Sequence, residues 1–176
     1  MKTYMILKTE VVGELLLTAE NAHLTGIYFN DCSHSILPAR GARLDPENPV
    51  LQQAAEELQE YLGGARTTFT VPLFYSGTGL QEAVWREIAR IPFGETITYT
   101  ELALRAHAAG AVRAVGTATG QNPIGIIIPC HRVMGKDGKL RGYAGGLERK
   151  RHLLALENKV AGLELISEGL EARVAS

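Results

Sequence analysis

The chain has 176 residues, 45% of them hydrophobic, with 18 Lys+Arg against 19 Asp+Glu. That is enough apolar material for one sizeable core or two small ones, and it excludes a disordered, collagen-like or disulfide-scaffold chain. No apolar run reaches the length of a membrane span, and Met1-Lys2-Thr3-Tyr4 opens without the apolar core of a secretion signal, so a cytoplasmic protein is expected.

Residues 3–8, 14–19 and 24–29 are rich in Ile, Leu, Thr, Tyr and Phe and predict three strands, with turns at Val12-Gly13 and Asn21-Ala22. Residues 31–47 form a polar loop. An amphipathic helix follows, with Leu51, Ala55, Leu58 and Leu62 on one face, Pro49 near its start and Gly63-Gly64 at its end. A further strand is predicted at 68–73. Thr78 with Gln81 is a capping-box pattern before a helix at 80–91, and Thr98 with Glu101 is a second before a short helix ending near Ala106. A third helix is predicted at 111–119. The last two helices, joined by a tight turn, have the outline of a helix-turn-helix. Ala111, Ala114, Gly116, Ala118 and Gly120 leave the third helix almost without side chains, and Arg113 is its only charge. Such a helix is either buried against neighbours or open to close approach by a partner. Asn122-Pro123 is a turn signal, and the apolar run at 125–128 predicts a buried strand ended by Pro129. Lys136-Asp137-Gly138-Lys139 is a turn, 141–146 a glycine-rich loop, and 147–157 the last clear helix. The pattern predicts an α+β protein. A small N-terminal antiparallel sheet with a helix (1–78) precedes a mainly helical domain (79–158), with a tail at 159–176.

The net charge of -1 hides an asymmetry: residues 105–151 hold 9 basic and 2 acidic side chains. A basic segment is a footprint for a polyanion or simply a solvated surface. Two cysteines stand far apart, and in a reducing compartment both are free thiols. Cys32 lies in a polar loop near His34. Two ligands do not make a metal site, so Cys32 is taken as a bystander and no metal is assigned. Cys130 sits where an apolar element ends, followed by His131 and Arg132, and Glu157 ends a later helix from which it could orient an imidazole. Nucleophile, base and orienting acid form an activated-nucleophile set. On residue type alone Asn122 is a turn residue and Tyr99 a helix-start residue. Tyr143, in a glycine-rich loop, suits the cover of a planar ligand better than a core.

The run Asn122-Pro123 … Ile126-Ile127-Ile128-Pro129-Cys130-His131-Arg132-Val133 resembles the signature of the O6-alkylguanine-DNA alkyltransferases. So do Phe93-Gly94-Glu95 … Tyr99, Arg113-Ala114-Val115-Gly116 and Gly142-Tyr143-Ala144-Gly145-Gly146-Leu147. The resemblance is strong over 80–157 and loose over 1–79. It implies irreversible, single-turnover transfer of an alkyl group from guanine O6, with thymine O4 as a further candidate, to Cys130. His131 would deprotonate the thiol through a bridging water, Glu157 would orient His131, and Asn122 would hold the network. Arg113 would fill the gap left by the flipped nucleotide. Tyr99 would press on the adjacent phosphate and assist proton transfer. Tyr143 would line the base pocket, the Ala144 N–H would meet O6, and the carbonyls of Cys130 and Val133 would read the exocyclic amine. The implied partner is double-stranded DNA carrying O6-alkylguanine, bound through the minor groove by a monomer without a cofactor.

Departures from the family pattern are His107-Ala108-Ala109 in place of a Gly-x-Pro turn, Ala144 in place of a serine, and Gly125 in place of a bulkier residue, which is expected to widen the alkyl pocket. The rival readings are a lesion-binding module without transfer, a cysteine hydrolase using Cys130-His131-Glu157, and a transcription factor. The first would lack the thiol. The second would have no use for a helix of small residues. The third would need polar side chains for major-groove reading.

Overall fold

The computed structural model describes residues 1–31 and 39–162. Cys32, His34 and the residues after Gly162 lie outside it. The chain forms two compact units, Met1–Tyr75 with Pro123–Gly125, and Ser76–Asn122 with Ile126 onward.

In the first unit β1 (Thr3–Thr9), β2 (Gly13–Glu20) and β3 (His23–Phe29) pair antiparallel in sequence order. The β2–β3 turn places Asn21 and Ala22 at φ 49° and 63°, the left-handed pair that a two-residue hairpin needs. Asparagine adopts this readily; alanine does so only because the register of both strands demands it. Consecutive residues Leu15 to Ala19 of β2 are buried, so this central strand is covered on both faces. β4 (Arg43–Leu44) adds to β1 in parallel, which makes the sheet mostly rather than wholly antiparallel. It lies in the stretch predicted as loop, and two residues carry no periodicity to detect.

Helix α1 (Pro49–Leu62) buries Leu51, Ala54, Ala55, Leu58, Tyr61 and Leu62. Asn48 caps it, accepting from the N–H groups of Val50 and Leu51, while its own Nδ2 donates to Thr3 Oγ1 at 3.2 Å. One side chain thus starts the helix and ties it to β1. The strand predicted at 68–73 does not form; only Leu73 bridges to Leu24. Pro72 has no N–H to give a ladder, and the buried Glu57 carboxylate takes the N–H groups of Thr70 and Val71 instead, at 3.0 and 3.2 Å.

The second unit starts with α2 (Gly79–Ala89), where the Thr78–Gln81 capping box is complete. Thr98 caps α3 (Tyr99–Arg105) by accepting from the Glu101 N–H. The altered turn after α3 is a Schellman closure: Ala108 N–H donates to Ala103 O at 2.8 Å, with His107 at φ 55° where glycine is usual. Helix α4 (Val112–Gly120) follows. The apolar run at 125–128 is a buried turn rather than a strand. Ile126 adopts φ 69°, a cost of about 1–3 kcal/mol for a non-glycine residue, and Asn122 Nδ2 closes the turn on Ile128 O at 2.7 Å. Gly125 belongs to the first unit, where a Cβ would meet the Ile27 carbonyl at 3.4 Å. Beyond a 3-10 turn at Cys130–Arg132, β6 (Val133–Met134) pairs in parallel with β5 (Ile97–Thr98), and α5 (Leu147–Val160) closes the unit.

Burial pushes the Glu57 carboxyl up, but hydrogen bonds from Thr70, Gln53 and Val71 outweigh it and hold the group below its usual range. A depressed carboxyl contributes stability above its unfolded pKa and loses it as pH falls through the folded value. Glu57→Ala is therefore expected to cost about 1–3 kcal/mol at neutral pH. Urea denaturation at neutral pH and at pH about 3, below the unfolded carboxylate pKa, should show the gap between wild type and variant narrowing in acid.

Candidate active site

Cys130 opens the 3-10 turn directly after Pro129 and is 8% exposed. Its N–H donates to Ile128 O at 2.8 Å, and the Arg132 N–H donates to Pro129 O at 2.9 Å. The turn is therefore fixed by backbone on both sides of the sulfur. Burial pushes the Cys130 thiol up. The Asn122 side chain, the Lys150 charge and the backbone N–H groups of Cys130 and His131 pull the other way. The same Asn122 amide that closes the 123–129 turn thus also steadies the sulfur.

His131 is fully buried, and its Nε2 lies 2.8 Å from Glu157 Oε2. An ionised carboxylate only accepts, so Nε2 carries the proton and Nδ1 is the basic nitrogen of the neutral ring. Burial lowers the His131 pKa and the charges of Arg132 and Lys150 lower it further, against the opposing pull of Glu157. Glu157, 1% exposed, takes Arg132 Nε on Oε1 at 2.5 Å. Burial pushes Glu157 up, but His131 and Arg132 together hold it below the usual carboxylate range. Arg132 also donates from Nη1 to Ile91 O at 2.6 Å, with its guanidinium 5.6 Å from the Phe93 ring centre.

Lys150 was not singled out by the sequence, yet it is fully buried. Its Nζ donates to Val133 O and Arg141 O, both at 2.6 Å, and lies 5.9 Å from the Tyr99 ring centre. Burial brings its pKa down to about 8, with the Cys130 charge opposing. Tyr99 is pushed up to about 12 by burial, then by Cys130. One signal could have found Lys150: it stands seven residues before Glu157, two helical turns down the same face.

The structure thus brings Asn122, Lys150 and Tyr99 to the Cys130 thiol and pairs its neighbour His131 with Glu157, with Tyr143 set edge-on to His131 at 6.5 Å. Val133 is buried with its carbonyl already accepting from Lys150, and the Cys130 carbonyl accepts from the Val133 N–H. Each carbonyl oxygen has a second lone pair to offer. Ala144 is exposed on the 141–146 loop, and Arg113 is exposed on α4. Among the described residues no group of three or more His, Cys, Asp or Glu could hold a metal ion, and no helix is long and apolar enough to cross a membrane.

Fold and site together define an α+β protein with a buried cysteine followed by a buried His–Glu pair, in a helical unit that contains a helix-turn-helix. The family model for the 6-O-methylguanine DNA methyltransferase DNA binding domain matches residues 79–159, and that for the ribonuclease-like domain of the same family matches 2–75. The chain belongs to the 6-O-methylguanine DNA methyltransferase family. It is 44% identical over 146 residues to the methylated-DNA–protein-cysteine methyltransferase of Mycobacterium leprae, covering 83% of this chain and 87% of that protein. It is 44% identical over 147 residues to the protein of the same name from Haemophilus influenzae, covering 83% and 81%. Among solved structures it is similar to Mycobacterium tuberculosis OGT in complex with DNA, with a TM-score of 0.83 and 40% identity over 90% of this chain and 94% of that one.

The lowered pKa of His131 has a measurable consequence. The unfolded imidazole titrates near pH ~6.5 whereas the folded one resists protonation, so stability is intact above that pH and lost as pH falls toward the folded value. Chemical denaturation from pH 8 down to 5 should show declining stability that His131→Phe reduces to a shallower slope.

Proposed function

We propose that this protein removes an alkyl group from O6 of guanine in double-stranded DNA and keeps it on Cys130, once per molecule. The observation that carries the proposal is the setting of Cys130. A buried thiol is hydrogen-bonded by Asn122, faced by the charge of Lys150 and followed by the His131–Glu157 pair, in a chain closely similar to methylated-DNA–protein-cysteine methyltransferases.

His131 Nδ1 takes the thiol proton through a bridging water while Glu157 holds the ring, and Lys150 favours the resulting thiolate. The sulfur attacks the alkyl carbon. The carbon–O6 bond breaks as the carbon–sulfur bond forms, its electron pair stays on the base, and the base takes a proton with the help of Tyr99. The product is a thioether, which offers no bond that water would readily cleave, so Cys130 is not regenerated.

The target atom is stacked inside the duplex, so the nucleotide must be turned out before sulfur can reach it. Tyr143 lines the base pocket, the Ala144 N–H meets O6, and the Cys130 and Val133 carbonyls read the exocyclic amine. The surface of α4 supports docking in the minor groove. Its exposed residues include Arg113, Ala114, Thr117 and Gly120, and a Cβ at Gly116 or Gly120 would meet nothing within 4 Å. Internal packing therefore does not require those glycines, whereas a narrow groove admits a backbone with little on it. Arg113 fills the space left by the flipped base, and affinity, carried by phosphates, falls with salt.

Incubation with excess duplex carrying O6-methylguanine should add one methylene unit per protein, mapped to Cys130 by intact mass and peptide analysis. Cys130→Ser should bind that duplex without any gain in mass. Binding without transfer by the wild type would make the protein a recognition module. Gly116→Leu should raise the melting temperature, since leucine is about 1 kcal/mol better than glycine in a helix, while weakening duplex binding at least about tenfold by filter or anisotropy titration.

A further inference from the structure

Two side chains of α2 hold the last turn of α4 from outside the site. Trp85, 3% exposed and the only tryptophan of the chain, donates its indole N–H to Ala118 O at 2.8 Å. Gln81, one turn earlier on the same face of α2, donates from Nε2 to Gln121 Oε1 at 2.7 Å. Both acceptors lie within four residues of Asn122. The loop before α2 is shaped to permit this. A Cβ at Gly77 would stand 2.5 Å from Gln81 Oε1 and 2.9 Å from two carbons of the Trp85 ring, so a side chain there is incompatible with the clamp.

The grip is placed with a direction. The N-terminal end of α4 has no side-chain cap, since Ala111 stands at the N-cap position. The C-terminal end carries both bonds from α2 and runs directly into Asn122, whose amide binds Ile128 O and the Cys130 thiol. An error of position at Ala118 or Gln121 is therefore passed to the sulfur through a single residue, and a small misplacement of a reacting group is costly in rate.

We propose that Trp85 and Gln81 are positioning residues for alkyl transfer: by clamping the last turn of α4 they fix Asn122, and through it the sulfur of Cys130, relative to the helix that docks on DNA. This rests on the function proposed above. Neither residue touches the reacting atoms. Their effect falls on the transfer step at saturation and not on the affinity of the exposed face of α4.

The test is single-turnover transfer from an O6-methylguanine duplex, read by peptide mass at Cys130, across a range of protein concentration that separates the saturating rate from half-saturation. Trp85→Phe keeps the ring and removes the donor; Gln121→Ala removes the surface acceptor and leaves the α2 capping box intact. Trp85→Phe is expected to transfer about tenfold more slowly at saturation, with half-saturation within about twofold of wild type. Gln121→Ala should transfer about threefold more slowly, again at unchanged affinity. Both should alkylate more slowly at Cys130 with iodoacetamide, mapped by mass, because Asn122 no longer holds the sulfur. A saturating rate equal to wild type, with only a lower melting temperature, overturns the proposal and makes the contacts ordinary packing. So does a change confined to affinity. If Trp85→Phe does not fold, Gln121→Ala decides alone. A wild type that transfers nothing would instead overturn the function on which the proposal rests.

Discussion

A carboxylate buried as deeply as Glu157 survives as a charge only beside positive partners, and that requirement organises the second unit. Arg132 supplies the formal charge, and His131 supplies a neutral N–H. Because Arg132 already balances Glu157, the imidazole has no need to carry a proton at rest. Had Glu157 faced His131 alone, the pair would lie closer to an imidazolium, and the ring would be spent as a base before any thiol was presented to it. The same arginine reaches the Ile91 carbonyl beyond the end of α2, so the charge balance of the site and the placement of a distant helix end share one side chain.

Helix α5 is the second organiser. Lys150 and Glu157 occupy one face two turns apart, so a single helix delivers a cation to the thiol side of the site and an anion to the imidazole side. Lys150 is held by two carbonyls rather than by a carboxylate, which leaves its charge uncancelled near the sulfur. Its depressed pKa reflects what that arrangement costs in desolvation.

Elements with sustained periodicity or explicit caps were legible in the sequence. The three N-terminal strands, α1, α2 and α3 were signalled by runs rich in Ile, Leu, Thr, Tyr and Phe between turns, by the Leu51–Leu62 stripe or by the Thr78 and Thr98 caps. The failures share a cause. The 68–73 and 125–128 runs look like strands because they are apolar and β-branched, but composition is not pairing. In one, Pro72 and the Glu57 carboxylate take over the backbone hydrogen bonding; in the other, Asn122 folds the chain into a turn that tolerates a left-handed isoleucine. Two-residue strands such as β4, β5 and β6 leave no pattern at all. At the site, Cys130 and His131 were visible as neighbours and Glu157 as a candidate, but Lys150 was hidden inside a run of basic residues. Composition cannot say which cation of such a run turns inward.

The groups around the sulfur come from parts of the chain that are far apart. Asn122 follows α4, Lys150 and Glu157 ride on α5, Tyr99 starts α3, and the strained Ile126 turn presents the cysteine itself. No segment shorter than residues 99–157 contains them all. A chain emerging during synthesis, or one cut before α5, therefore lacks both the Lys150 charge and the Glu157 partner of His131. The set of groups around the sulfur is assembled only by completion of the fold. In the proposed single transfer, that ordering ties the use of the thiol to a completed helix-turn-helix.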